Sequence, residues 1–325
     1  MLLEIDNVSK SYRGGARANQ GVTLSVDAGE VYGLLGHNGA GKTTLASQVV
    51  GLLRPDQGSI RIDGLDAVAR PAEARRRSSI QPQAQVPIDG LTPRQAIDLV
   101  GRLRGAPTPE VRRRSSALTA ALDIGEWLDV DGGRLSGGVK RLVSFCMAAV
   151  TPGRVVILDE PTNDVDPVRR RLLWGLVRTL ADGGAAVLLV THNVLEAERA
   201  VDRLAILDHG RVLVEGTPGA LKADLAGDLR LELVLEPGAR PLVPAPFVRR
   251  WARNGHRMLA AVPNSLASEA AAWGEQLQRQ GLIEEFSLAP ATLEDVDVGL
   301  VGRADVTGDA APISVQEELV GVHAA

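Results

Sequence analysis

The feature that most constrains this chain is the stretch Gly36-His37-Asn38-Gly39-Ala40-Gly41-Lys42-Thr43, which follows the apolar run Val31 to Leu35 and precedes a helix-like segment. Strand, glycine-rich loop and helix in that order match the G-x-x-x-x-G-K-[ST] phosphate loop. Glycines let the backbone curl so that successive N–H groups converge on phosphate oxygens, and the helix N-terminus adds the positive end of its dipole. Lys42 is expected to reach the β and γ phosphates and Thr43 to ligate Mg²⁺, with Thr44 next along the loop. In a chain with 35 glycines a glycine-rich loop alone carries little weight. The lysine decides it. Only Lys10, Lys42, Lys140 and Lys222 accompany a large excess of arginine, and one of the four stands where a compact ammonium is needed.

A second element is RVVILDE (154–160), an apolar run that ends in Asp159 and Glu160. Carboxylates at the C-terminal end of a buried strand face the crevice in which open α/β sheets bind ligands. Asp159 is expected in the Mg²⁺ shell, and Glu160 is placed to polarise an attacking water. Together with EVYGLL (30–35) and AAVLLVTH (185–192), the run reads as one of several buried parallel strands, each leading through a loop into a helix. The expected fold class is α/β.

Composition narrows the function classes. A formal net charge of −4 over 325 residues argues against binding of nucleic acid through bulk electrostatics, which requires a basic face. The arginine triplets Arg75–Arg77, Arg112–Arg114 and Arg169–Arg171 read as solvated helix faces. The single cysteine, Cys146, lies among Val143, Phe145, Met147 and Val150, so it is expected to be a buried small hydrophobe in a reducing compartment. Acids at Glu4 and Asp6 do not suit a secretory signal, and no apolar run approaches the ~20 residues that span a bilayer. A soluble, cytoplasmic chain is expected.

Between the first two buried strands lies a helical insert, about residues 88–150. Thr92-Pro93 and Thr108-Pro109 each look like an N-cap followed by proline at the first helical position, opening helices that run toward Gly105 and Gly125. After Gly219 the pattern changes. LRLELVLEPG (229–238) alternates with period two, SLASEAAAWGEQLQRQG (265–281) reads as an amphipathic helix, and SLAPATLEDVDVGL (287–300) as a strand leading into a helix. The expected division is a nucleotide-binding domain at 1–220, a small α+β accessory domain at 221–302, and a loose tail at 303–325.

With the phosphate loop, the strand-end acids and LSGG (135–138) between them, residues 1 to about 220 resemble the nucleotide-binding subunits of ABC transporters, P-loop ATPase cassettes that bind ATP and Mg²⁺. The resemblance implies that Ser136, Gly137 and Gly138 bind the γ phosphate of ATP held by the phosphate loop, Gly36 to Thr44, of a second cassette, making a dimer. It implies that Tyr12 stacks on adenine, that Gln83 reaches Mg²⁺ and the attacking water, that His192 hydrogen-bonds the γ phosphate, and that Asp166 links the two sites. It also implies a separate integral-membrane permease, which would hold the subunit at the inner face of the membrane. Val139 stands where the family's most familiar form has glutamine, with the helix expected to begin near it and Lys140 and Arg141 following as solvated residues. Asp164 and Val165 replace the usual Gly-Leu. Among cassettes, the segment PATLEDV (290–296) is similar to the end of ABC-2 type exporter ATPases, including the daunorubicin-resistance drug-efflux type. Importer ATPases, and soluble cassette proteins acting on ribosomes or DNA, are the alternatives. The latter usually carry two tandem cassettes or a long coiled coil, and neither pattern is present here.

Overall fold

The computed structural model describes residues 1–223, 228–238 and 242–290. The end of the PATLEDV segment, with Glu294 and Asp295, and the tail expected from residue 303 lie outside the described residues.

In chain order, β1 (Leu3–Ser11) and β2 (Arg17–Val26) lead to β3 (Val31–Leu35) and α1 (Lys42–Val49). Then come β4 (Gln57–Ile62), β5 (Leu65–Asp66), α2 (Pro71–Arg77) and β6 (Ser78–Gln81). Three helices follow, α3 (Pro93–Leu103), α4 (Thr108–Ala121) and α5 (Gly137–Ala149). The chain returns through β7 (Val155–Asp159), α6 (Pro167–Asp182), β8 (Ala186–Thr191), α7 (Val194–Ala200), β9 (Arg203–Asp208), β10 (Arg211–Gly216) and α8 (Pro218–Ala223). The last elements are β11 (Asp228–Leu235), β12 (Arg250–Asn254), β13 (Arg257–Pro263), α9 (Ala267–Arg279) and β14 (Ile283–Pro290).

The continuous apolar runs become the centre of a six-stranded sheet of order β10-β9-β3-β8-β7-β6, parallel except for its β10 edge. Because successive side chains point to opposite faces, each run is divided between two cores. Val31 and Leu35, Val156 and Leu158, and Val187 and Leu189 pack on one side with the helices α3 to α6. Tyr32 and Leu34, Val155 and Ile157, and Leu188 and Val190 pack on the other, with Leu45, Ala46 and Val49 of α1. A strand apolar at every position is what a sheet covered on both faces requires. The second core is closed by an antiparallel sheet, β2-β1-β4-β5, which contributes Leu3, Ile5, Val8, Ile60 and Ile62. No strand was expected before residue 30. The period-two signal of Leu3, Ile5 and Val8 is broken by a register shift between Ile5 and Val8.

The helical insert corrects two local expectations. Thr92 caps α3 with a full capping box, accepting from Gln95 N at 3.3 Å while Gln95 Oε1 accepts from Thr92 N at 2.9 Å. Thr108 does not cap α4. Pro107, with φ −60° and ψ 140°, already has the extended cap conformation, which moves Thr108 one place into the helix. At the other end the helix stops short of Gly125, with Leu122 as its cap and Asp123, at φ 53°, in the left-handed conformation. Gly125 instead opens a single 3₁₀ turn.

The C-terminal elements form a third sheet, β12-β13-β11-β14, whose inward residues Leu231, Leu233 and Leu235 alternate with partly exposed ones. Helix α9 packs on it through Ala270 and Leu277. A Cβ at Gly274 would lie 2.6 Å from the Phe286 ring, so the absent side chain lets the helix approach β14. Leu221 of α8 belongs to the first core rather than to this one, so α8 packs with the preceding elements. Among the described residues no helix is long and apolar enough to cross a membrane.

Candidate active site

The parallel registers place three strand ends side by side: Leu35 pairs with Thr191, and Asp159 with Val190. The phosphate loop leaves β3, the acids leave β7, and Thr191-His192 leave β8, all at the C-terminal edge of the sheet. The loop itself is held by close backbone contacts. Gly36 has φ 147° and Gly41 φ 105°. A Cβ at either would lie 2.1 Å from the Leu207 carbonyl oxygen or 2.0 Å from that of Ala18, so only glycine fits. Gly41 caps α1, whose first residue is Lys42. Lys42 is buried, and its Nζ donates to the carbonyls of Gly36 at 2.5 Å and His37 at 3.0 Å. Ala40 is also buried, and its carbonyl accepts from Gly210 N at 3.0 Å.

A cavity of about 360 Å³ opens against this edge. It is lined by the predicted Tyr12, Asn38, Gly39, Gly41, Lys42, Thr43, Thr44, Gln83, Asp159 and Glu160, with Ala18, which local sequence did not single out. Tyr12 is half exposed, with its hydroxyl 3.3 Å from Thr44 Oγ1. Thr43 Oγ1 donates to Asp159 Oδ2 at 2.9 Å, whereas the buried Oδ1 of Asp159 has no hydrogen-bond partner. Burial raises the Asp159 pKa. The Thr43 bond opposes that rise, the Glu160 charge adds to it, and the Lys42 and Arg141 charges lower it.

Glu160 is buried and sits at φ 51°, a conformation that side chains other than glycine, Asn and Asp rarely take. Its Oε1 accepts from His192 N at 2.9 Å and from His192 Nδ1 at 2.7 Å, and its Oε2 from Thr191 Oγ1 at 3.0 Å. An ionised carboxylate has about four lone-pair sites, so these three donors leave room for one more. The acceptor also fixes Nδ1 as the protonated nitrogen of His192.

The LSGG residues and Asp166 are outside the lining of this cavity. Helix α5 begins at Gly137 rather than near Val139, because Ser136 is the N-cap and accepts from Val139 N at 3.4 Å. Val139 is buried in the first core. A Cβ at Gly138 would lie 2.3 Å from the Asp164 carbonyl oxygen, which binds this loop closely to the one after β7. The replacements at 164 and 165 are accommodated. Asp164 sits at φ 64°, which aspartate tolerates better than most residues, and Val165 is buried in the first core. Asp166 caps α6, accepting from Val168 N and Arg169 N, both at 3.0 Å.

Arg141 is not solvated. It is buried, its guanidinium donates to the Pro82 carbonyl at 2.9 Å, and its own carbonyl accepts from Gln81 Nε2 at 3.1 Å. Burial lowers its pKa, against the charges of Asp164, Asp159 and Glu160. This side chain therefore ties α5 to the segment that carries Gln83, a link with no local signal because its ends are 59 residues apart. Cys146 is buried as expected, and burial pushes its thiol up to about 12.

Residues 19–163 match the ABC transporter family. A daunorubicin/doxorubicin resistance ATP-binding protein, DrrA, of Streptomyces peucetius is 40% identical over 232 residues, 71% of this chain and 70% of its own length. A Nod factor export ATP-binding protein I of Sinorhizobium fredii is 35% identical over 306 residues, covering 93% of this chain and 86% of that protein. Among solved structures, an ATP-binding subunit of an ABC transporter superposes with a TM-score of 0.65 at 30% identity, over 70% of this chain and 94% of that one.

Proposed function

Since the chain belongs to the ABC transporter family as an ATP-binding subunit, we propose that it powers export of a drug, lipid or other small molecule through a separate membrane permease, working as a pair of cassettes. Export is supported by relatives named for drug resistance and for Nod factor export. The observation that carries the catalytic reading is the Thr43–Asp159 hydrogen bond of 2.9 Å, which joins the phosphate loop to the strand-end acids around one cavity.

In this reading the loop from Gly36 to Thr44 wraps the phosphates of ATP, Lys42 neutralises their charge, and the half-exposed Tyr12 stacks on adenine. Thr43, Gln83 and Asp159 would hold Mg²⁺, an assignment supported by the orphan Oδ1 of Asp159 beside a hydroxyl, an oxygen set suited to a hard cation. When bound, the cation supplies charge neutralisation to the β and γ phosphate oxygens. Glu160 accepts a proton from the attacking water, using the lone-pair site that its three donors leave, and His192 contacts the γ phosphate. Ser136, Gly137 and Gly138 serve ATP held by the second cassette, with Asp166 near the junction. The domain division that goes with this reading is a cassette through α8, including the helical insert at about 88–150, followed by an accessory unit with its own core.

Glu160→Gln tests the chemistry. It should retain ATP binding and lower turnover on the order of 10²- to 10⁴-fold, the usual contribution of general acid–base groups. Binding calorimetry and phosphate release separate the two effects. Full hydrolysis by this variant would remove Glu160 from its role.

A further inference from the structure

The turn between β9 and β10 approaches the phosphate loop on a side that does not line the nucleotide cavity, and there three side chains converge: His37, Asp208 and His209. Their potential ligand atoms all lie within 4.8 Å of one another. His37 Nε2 is 2.8 Å from Asp208 Oδ1, and His209 Nε2 is 3.8 Å from the same oxygen. Asp208 is 2% exposed, whereas the imidazoles are 42% and 71% exposed, so a buried carboxylate is approached by two rings with room to adjust.

The donors and acceptors of His37 leave a gap in this arrangement. Nδ1 is 2.7 Å from the Asn38 carbonyl oxygen, which only accepts, so Nδ1 carries the proton. In the neutral ring Nε2 then presents a lone pair to Asp208 Oδ1, itself an acceptor when ionised. Two lone pairs at 2.8 Å need a positive species between or beside them. A second proton would meet that need for His37 alone. It leaves the second imidazole, whose Nε2 lies 3.8 Å from the same oxygen, without a hydrogen bond to it. A divalent transition metal would engage all three side chains after small rotations of the two exposed imidazoles. A ring that donates Nδ1–H to a backbone carbonyl while Nε2 faces the metal is the usual outer-sphere arrangement of a ligating histidine. Two imidazoles and a carboxylate suit zinc, leaving a fourth position for water.

We propose that His37, Asp208 and His209 form a site for a zinc-class divalent cation that fastens the phosphate loop to the β9–β10 turn. The segments are already close. Gly210 N donates to the Ala40 carbonyl at 3.0 Å, and Leu207 O fills the space a Cβ at Gly36 would need. The cation adds a cross-link at the loop residue whose carbonyl accepts from Lys42 Nζ. Such a cross-link stabilises the folded chain in proportion to occupancy.

The test is calorimetric titration of the untagged full-length protein with zinc chloride alone, paired with thermal melts. One zinc per chain is expected. Affinity should fall on the order of 10- to 100-fold in both His209→Asn and His37→Ala, and be unchanged in His192→Ala. Asparagine tolerates the positive φ of position 209, so that variant keeps its fold. Zinc should raise the melting temperature of the wild type and not that of His209→Asn. The proposal is overturned if no saturable one-to-one binding occurs, if either His37→Ala or His209→Asn binds as the wild type does, or if the loss follows His192→Ala.

Discussion

The two loops proposed to bind phosphate are built in opposite ways. The loop from Gly36 to Thr43 is surrounded by its own chain: its carbonyls hold Lys42, its hydroxyl meets Asp159, and its glycines press on Ala18 and Leu207. The LSGG loop is packed tightly from behind, by Asp164 against Gly138 and by the buried Val139 and Arg141, yet its exposed Ser136 is outside the cavity that the first loop lines. The first loop lines one cavity with residues of a single chain, which suits a nucleotide held within that chain. The second is backed by its own chain on one side and, among the described residues, adds nothing to the lining of that cavity, which suits a contact supplied across a dimer.

The strongest way to break this contrast is Ser136→Arg. It should abolish steady-state hydrolysis while leaving ATP binding by one chain within about threefold of wild type, because the serine is proposed to touch only the partner's ATP. Lys42→Ala should lose both. Mixing the two variants should restore part of the activity, since one composite site is then intact. Ser136→Arg losing ATP binding as fully as Lys42→Ala would place both loops on the same nucleotide within one chain.

A smaller effect is expected behind the loop. Gly138→Ala places a Cβ against the Asp164 carbonyl and should destabilise the chain by about 1–3 kcal/mol, which scanning calorimetry would detect. An unchanged melting temperature would mean that the packing behind LSGG yields easily.

Asp159→Asn sharpens the contrast from the other side. Burial raises the folded-state pKa of Asp159 above its unfolded value, so the ionised carboxylate opposes folding. The penalty is absent below the unfolded pKa and grows as pH rises through the folded one. The variant should therefore melt higher than wild type at neutral pH, with a difference that shrinks on acidification, and should lose Mg²⁺-dependent turnover. A lower melting temperature at neutral pH would show that the Thr43 bond outweighs desolvation.

The smallest change is expected from Val139→Gln. Val139 is buried, so the amide disturbs packing, by about 1–2 kcal/mol, more than it helps recognition. ATPase activity should stay within about threefold. A large gain would mean that the side chain at 139, and not the backbone around Ser136, limits the site.

What could be read from the chain was what short range decides. Glycine at 36 and 41, a lysine opening a helix, acids ending an apolar run, and serine before two glycines each constrain a few consecutive dihedrals or one strand end, and the pattern of residue types carries that information directly. The fully apolar strands could be read too, because a sheet covered on both faces leaves no polar positions. The N-terminal sheet could not, since a bulge interrupts its alternation. Nor could the burial of Arg141 or the meeting of His37 with His209. Those depend on strand order. Thr43 meets Asp159 from 116 residues away, and His37 meets Asp208 from 171, only because β9, β3, β8 and β7 lie side by side with their ends aligned. Local propensity sets the conformation of each segment. Which side chains then share a cavity is decided by the packing of two cores around one sheet, a property of the whole chain rather than of any window within it.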